Sequence, residues 1–245
     1  MRITLLFIVL LFVALQLRAQ ESQPRLFLGI AGGYNSNNHA GDFMGPTPHG
    51  ELLPYTTGNG NGIILGFAGD YWFTANGSTA IQCKLYYEQK PGNFTSEAPS
   101  FVYFDTNTNS FSLSPVSTYQ ATYNLINFEA LFKYNVIDRI GISIGPKLGY
   151  AITKTYKESG LTYYTTSADT SRNPTFYPDT LNSSGNIQNA YSLRFGVTLS
   201  LQYDILFGDF LITPALSFDL GLTPVTQQGW YISTLAGTID VKYGL

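Results

Sequence analysis

The chain has 245 residues, enough for one large β domain or two small ones, and carries 13 basic against 16 acidic residues for a net charge of −3. Charged residues are 12% of it, against a usual share of about a quarter, while Tyr numbers 18, Phe 17 and Gly 24. So few charges make a poor exterior for a soluble protein, the acidic balance argues against nucleic acid as a partner, and a mean hydropathy of +0.01 excludes a bundle of membrane helices.

The N-terminus, MRITLLFIVLLFVALQLRAQ, has an early positive charge at Arg2, an apolar run from Ile3 to Leu15 and an exit ending Arg18-Ala19-Gln20. That is the pattern of a secretory signal peptide, expected over residues 1–20, and its apolar run is short for a membrane anchor. Its removal takes away Arg2 and Arg18 and leaves 11 basic and 16 acidic residues, a net charge of −5. Cys83 is the single cysteine, so no disulfide forms within the chain, and its position excludes a lipid anchor at the new N-terminus.

Residues 21–245 show one pattern eight times: apolar residues alternating with small or polar ones, the period of a strand with two unlike faces. The first strand is expected over about 25–34, with Leu26, Leu28, Ile30 and Tyr34 on the apolar face. The second sets Ile63, Leu65, Phe67, Tyr71 and Phe73 against Asp70 and its neighbours, and the third sets Ile81, Cys83, Leu85 and Tyr87 against Lys84, Tyr86 and Glu88. The fourth alternates Ile126, Phe128, Phe132 and Tyr134 with Asn127, Glu129 and Lys133. In the fifth, Ile140, Ile142, Ile144, Leu148, Tyr150 and Ile152 oppose Lys147 and five smaller residues, Gly141, Ser143, Gly145, Gly149 and Thr153. The sixth, YSLRFGVTLSLQYD from Tyr191 to Asp204, has an unbroken apolar face and carries Arg194 and Asp204 on the other. The seventh opposes Phe210, Ile212, Leu216, Phe218 and Leu220 to Thr213, Ser217 and Asp219; the eighth opposes Leu235, Ile239, Val241 and Tyr243 to Asp240 and Lys242. Pro146 and Pro214 fall inside two of these strands, where a local bulge is the expected accommodation.

The connections alternate in length. Tight-turn chemistry follows strands two, four and six, at Ala75 to Gly77, Asn135 to Asp138 and Phe207 to Asp209. Long polar loops are expected after strands one, three and five, at about 35–61, 91–118 and 157–188. An even number of strands with every long loop at one end is the layout of an outer-membrane barrel: all-β, an eight-stranded antiparallel up-and-down transmembrane β-barrel. A soluble lipocalin-like barrel or sandwich is the competing arrangement, with the apolar face turned inward. The paucity of long charged side chains on the polar face favours lipid outside. On that reading Arg25, Asp70, Lys84, Glu88, Glu129, Lys133, Lys147, Arg194, Asp204, Asp219, Asp240 and Lys242 form a charge network inside the barrel, and aromatic residues near the strand ends form the interfacial girdles.

LYYEQKPGNF (Leu85 to Phe94), NLINFEALFKYNV (Asn124 to Val136), IGISIGPKLGYAI (Ile140 to Ile152) and TPALSFDLGLTPV (Thr213 to Val225) resemble the strand motifs of the outer-membrane β-barrel family common in Bacteroidetes, often called PorT-like. The resemblance implies a Gram-negative outer-membrane location with periplasmic termini and extracellular long loops. It also implies outer-membrane lipid and the barrel assembly machinery as partners, and an envelope or secretion-complex protein as a further one, since one member of the family assists a secretion system. The expected role is surface binding, adhesion or an envelope-structural one, with an accessory barrel of a secretion complex as the alternative and a small pore behind it.

No catalytic site is expected. Both histidines, His39 and His49, fall in the first long loop, which leaves the strands without a base for hydrolysis or acyl transfer. His39, Asp42, His49 and Glu51 lack metal-ligand spacing, and the glycines of TGNGNGIILG lack the setting of a phosphate loop, so no metal or cofactor is expected. The sequons at Asn76, Asn93 and Asn182 arise readily in Asn- and Ser-rich loops. An eight-stranded barrel has an interior that side chains fill, so the charges are expected to brace the wall rather than line a pore. Contact with a partner falls to loop aromatics: Phe101, Tyr103, Phe104, Tyr163, Tyr164, Phe176 and Tyr177.

Overall fold

A computed structural model describes residues 25–46, 52–74, 77–97, 101–104, 110–113, 116–165 and 176–245, with side chains placed for 25–41, 55–74, 77–95, 117–160, 180 and 182–245. The expected signal peptide, His49 and Glu51 lie outside the described residues. The strands are β1 (Leu26–Pro46), β2 (Leu52–Trp72), β3 (Thr79–Gln89), β4 (Gly92–Glu97), β5 (Phe101–Phe104), β6 (Ser110–Leu113), β7 (Val116–Ile137), β8 (Ile140–Thr165), β9 (Phe176–Asn186), β10 (Leu193–Tyr203), β11 (Ile205–Phe207), β12 (Phe210–Gly221) and β13 (Tyr231–Gly244).

All pairings are antiparallel, and they close. β1 pairs with β2, β2 with β3, β3 with β7, β7 with β8, β8 with β10, β10 with β12, β12 with β13, and β13 returns to β1. β4 continues the stave of β3 past Lys90-Pro91, and β11 continues that of β10 past Asp204. The result is an eight-stranded ring in which no stave has a free edge along its middle, the only sheet form that satisfies its own backbone in lipid.

The apolar face of every stave points outward. Ile30 is 58% and Phe67 67% exposed, whereas Asp70, Lys133, Asp240 and Lys242 are fully buried on the opposite face. Cys83 is exposed on the outer side. In water, that exterior would leave dozens of large apolar side chains unburied; in a bilayer they are solvated by acyl chains.

Two expectations change. The segments expected as long loops are mostly paired strand: β1 and β2 run on together to Pro46 and Leu52, and β8 pairs with β9 as far as Thr165 and Phe176. The alternation that marks a strand depends on contrast between its faces, and on β1 beyond Tyr34 both faces are polar, with Asn35, Asn37 and His39 inward and Ser36 and Asn38 outward. Nor do Pro146 and Pro214 sit in bulges. The register passes Pro146↔Val197 and Pro214↔Ile239 unshifted, because a missing N–H deletes a ladder hydrogen bond without inserting a residue. Register shifts occur instead at Ala40/Phe43, Asn124/Leu125 and Asn135/Ile137.

Candidate functional site

Inward-facing residues divide the barrel interior into three levels. At the tight-turn end Phe27, Trp72, Ala80 and Leu211 pack into one cluster with Leu206 against it. Above them lies the charge network. At the end carrying the hairpins, Tyr55, Phe94, Tyr119, Tyr123, Tyr156 and Trp230 pack with Leu125, Ile187, Val225 and Ile232.

Six cations and six anions occupy the middle level. Toward the turns, Lys242 donates to Asp70 at 2.7 Å, Lys84 pairs with Asp240 at 2.8 Å and Lys133 with Asp204 at 2.6 Å; Gln82 donates to Asp70 at 3.1 Å. Lys133 also lies 4.9 Å from the centre of the Trp72 ring, which joins this level to the plug beneath. Toward the hairpins, Lys147 reaches Glu88 at 2.8 Å, Asp219 at 3.1 Å and Glu129 at 3.7 Å, and Lys90 reaches Asp219 at 2.9 Å and Glu88 at 3.0 Å. Arg194 approaches Asp219 at 3.5 Å and donates to the Ile232 carbonyl. Tyr86 donates to Glu129 at 2.5 Å. Gly221 makes room for Arg194: a Cβ there would lie 2.6 Å from the Ile232 carbonyl oxygen and against the guanidinium. A cavity of about 30 Å³, bordered in part by Lys84, Glu129, Asp219 and Thr238, has space for about two waters. Asp219 Oδ1 and Thr238 Oγ1 lack protein partners.

Eleven of the twelve residues expected in this network are in it or line it. Arg25 is not: it precedes β1 at the turn-end rim and is exposed, so its inward parity has no interior to point into. Lys90 takes its place. It continues the inward parity of Lys84, Tyr86 and Glu88 by one more step, but it lies at the edge of a stretch expected as turn and loop.

His39 is likewise on a strand, buried, and not in a loop. Its Nε2–H donates to the Pro91 carbonyl at 2.8 Å and its Nδ1 accepts from Trp230 Nε1 at 3.0 Å, so both nitrogens are spoken for and the ring is neutral. Burial lowers its pKa to about 4, against the pull of the Pro91 carbonyl and with help from the positive charge of Lys90. Nearby, Glu158 Oε1 accepts from Tyr55 at 2.7 Å and from Ser117 at 3.2 Å. Its Oε2 has no partner, and it is the buried carboxylate without an ion pair among the described residues. Burial raises the Glu158 pKa, opposed by the hydrogen bonds from Tyr55 and Ser117, and it pushes the Tyr55 hydroxyl well above its ordinary value. Neither His39 nor Glu158 was singled out as interior by sequence, although each has the inward parity of its strand.

The loop aromatics fall on two hairpins. Phe101, Tyr103 and Phe104 are on β5, which pairs with β6. Tyr163 and Tyr164 on β8 lie opposite Pro178 and Tyr177 on β9, and Thr165 lies opposite Phe176, so four of the seven share one hairpin end. Among the described residues no group of His, Cys, Asp and Glu is placed to hold a metal ion.

A closed ring of eight strands with an apolar exterior and a charged, filled interior is a transmembrane β-barrel of the bacterial outer membrane. Residues 18–227 match the family model for the outer membrane protein beta-barrel domain, and the chain belongs to that family. No curated protein matches it. Among solved structures it is similar to Ail, the attachment invasion locus protein of Yersinia pestis, in complex with the heparin analogue sucrose octasulfate. That match has 11% identity and a TM-score of 0.36, over 89% of this chain and 99% of that one. Neisserial surface protein A matches at 9% identity and a TM-score of 0.38, over 88% and 97%. The outer membrane protease OmpT from Escherichia coli matches at 9% and 0.34, over 90% and 96%.

Proposed function

We propose that the protein is a non-conducting, non-enzymatic barrel that anchors its hairpins at the cell surface, where they bind a partner. In this reading the tight turns and both termini are periplasmic, the hairpins extracellular, and the barrel assembly machinery is a partner only during biogenesis. The observation that carries it is the closure of the interior at both ends, by the Phe27–Trp72–Leu211 cluster below and the aromatic cluster around Trp230 above. Between the two, ion pairs fill the lumen, so a solute has no continuous path. The hydroxyl of Ser117 is tied to Tyr55 and Glu158, and both His39 nitrogens are engaged, which leaves neither of them poised as nucleophile or base. What remains available to a partner is the strand length beyond the lipid-facing band.

The test is electrical. Purified barrel inserted into planar bilayers is expected to give no single-channel steps, and steady openings in the wild type, absent from bilayers without protein, would replace this reading with a small pore.

A further inference from the structure

Above the lipid-facing band, the outer face of the staves carries an aligned row of amide side chains. Asn38 is opposite Asn59, Asn59 opposite Asn93, Asn93 opposite Gln120, and Gln120 opposite Lys157, each pair directly in register across β1, β2, β4, β7 and β8. All five are exposed. Adjacent strands are about 4.8 Å apart, so the row is a ladder of that spacing. The next row up pairs Thr95 with Thr118 and Thr118 with Ser159; the next row down pairs Ser36 with Asn61 and Thr122 with Thr155.

Such a surface is unusual in what it omits. Exposed sheet is ordinarily protected by charge, yet among the described residues of these three rows Lys157 is the one ionised group, and the neighbouring Lys154 is engaged by the Ala190 carbonyl and Ser192. Phosphate would call for a cluster of cations, and a protein partner for aromatic or aliphatic anchors. Amides and hydroxyls, each able to donate and accept, match the hydroxyls of a sugar.

Position selects the source of the sugar. On β1 the lipid-facing Tyr34 is followed outward by Ser36 and then Asn38, so the face is continuous with the membrane surface. Four residues span about 13 Å along a strand, or about 10 Å of height at the usual barrel tilt. Head groups of an ordinary phospholipid occupy only about 5–8 Å on each side of the hydrocarbon. A lipid that reaches the Asn38 row therefore has a longer, glycan head. We propose that this face binds the sugar head groups of glycolipids in the surrounding leaflet, a contact that rests on the outward orientation of the hairpins but not on what their tips bind.

The test uses full-length barrel refolded in detergent, its unfolding followed by the shift of the unboiled gel band. Lipopolysaccharide bearing core sugars is expected to raise the unfolding temperature by at least about 3 °C more than lipid A, which lacks them. Asn38→Ala, Asn59→Ala and Asn93→Ala combined are expected to abolish that difference while leaving the effect of lipid A. Equal shifts in the wild type, or an undiminished difference in the variant, overturn the proposal; so does full competition by free core oligosaccharide, which would make the ligand a soluble glycan. A photo-crosslinking residue in place of Asn59, in intact outer membranes, gives a second measurement independent of folding yield. Capture of lipopolysaccharide there, and none from a probe in place of Asp209 at the opposite rim, is the expected result. Capture at 209 instead reverses the orientation and removes the proposal with it, whereas capture at neither removes the glycan contact alone.

Discussion

The lower and upper halves of this barrel are built from the same strands but solve different problems. In the membrane band the outside is apolar and the inside ionic; beyond the band the outside is amide and hydroxyl and the inside aromatic. Each outer face matches the solvent around it, and the interior takes the opposite chemistry. Where lipid excludes water, charges can be housed only in the lumen, paired with one another; where water surrounds the sheet, the core reverts to rings packed edge to face, such as Phe94 against Trp230 at 5.4 Å and 86°.

The largest effect is expected from breaking the ionic half. Lys147→Met leaves Glu129 without its ion pair and Glu88 and Asp219 with fewer cations, at a cost of about 3–5 kcal/mol. The urea midpoint of the heat-modifiable band should fall accordingly, and adding Glu129→Gln should recover part of the loss, since one uncompensated charge is removed. An unchanged midpoint for Lys147→Met would mean that water in the lumen, rather than the lysine, balances the carboxylates.

The aromatic half should show itself through pH. His39 has a folded pKa of about 4 against 6.5 unfolded, so the unfolded chain binds the extra proton between those values. Stability is therefore full above about pH 6.5 and declines as pH falls toward 4, by on the order of 3 kcal/mol. His39→Phe should flatten that part of the profile. Glu158 runs the other way: its folded pKa is raised, so the folded state holds the proton longer and stability declines as pH rises above the unfolded value of 4.5. Glu158→Gln should remove this decline and leave the barrel more stable at neutral pH than the wild type. A profile of that variant parallel to the wild type across the whole range would show that the carboxylate is hydrated in solution.

The same contrast explains what could be read from sequence. Inside the band, alternation between Ile or Phe and a charged or small residue marks both the strand and its faces, and the parity of Asp70, Lys84 and Asp219 places them in the lumen. Beyond the band the two faces of β1 differ only as Asn35 and Asn37 differ from Ser36 and Asn38, and no periodicity of hydropathy survives on that strand. His39 and Glu158 fall in stretches that read as loops, and Lys90 falls just short of the loop expected from Pro91. Arg25 is the converse case: correct parity, but one residue outside the barrel.

The smallest effect on stability is expected at the hairpin end where Tyr164 lies opposite Tyr177, even though the proposed function places the largest effect on binding there. The closed ring and its ionic filling lie well below that pair, so Tyr164→Ala with Tyr177→Ala should change the unfolding free energy from urea titration by no more than about 0.5 kcal/mol. The same double variant should weaken, by at least about tenfold, whatever contacts the wild-type barrel makes on arrays of surface proteins and glycans, as loss of paired aromatic anchors does at other interfaces. Binding retained at wild-type strength would move the contact off this hairpin, to β5 and β6 or to the amide rows beneath. Loss of stability together with binding would mean that these rings belong to the upper core. Two measurements on one variant thus separate a tip that serves a partner from a tip that serves the barrel.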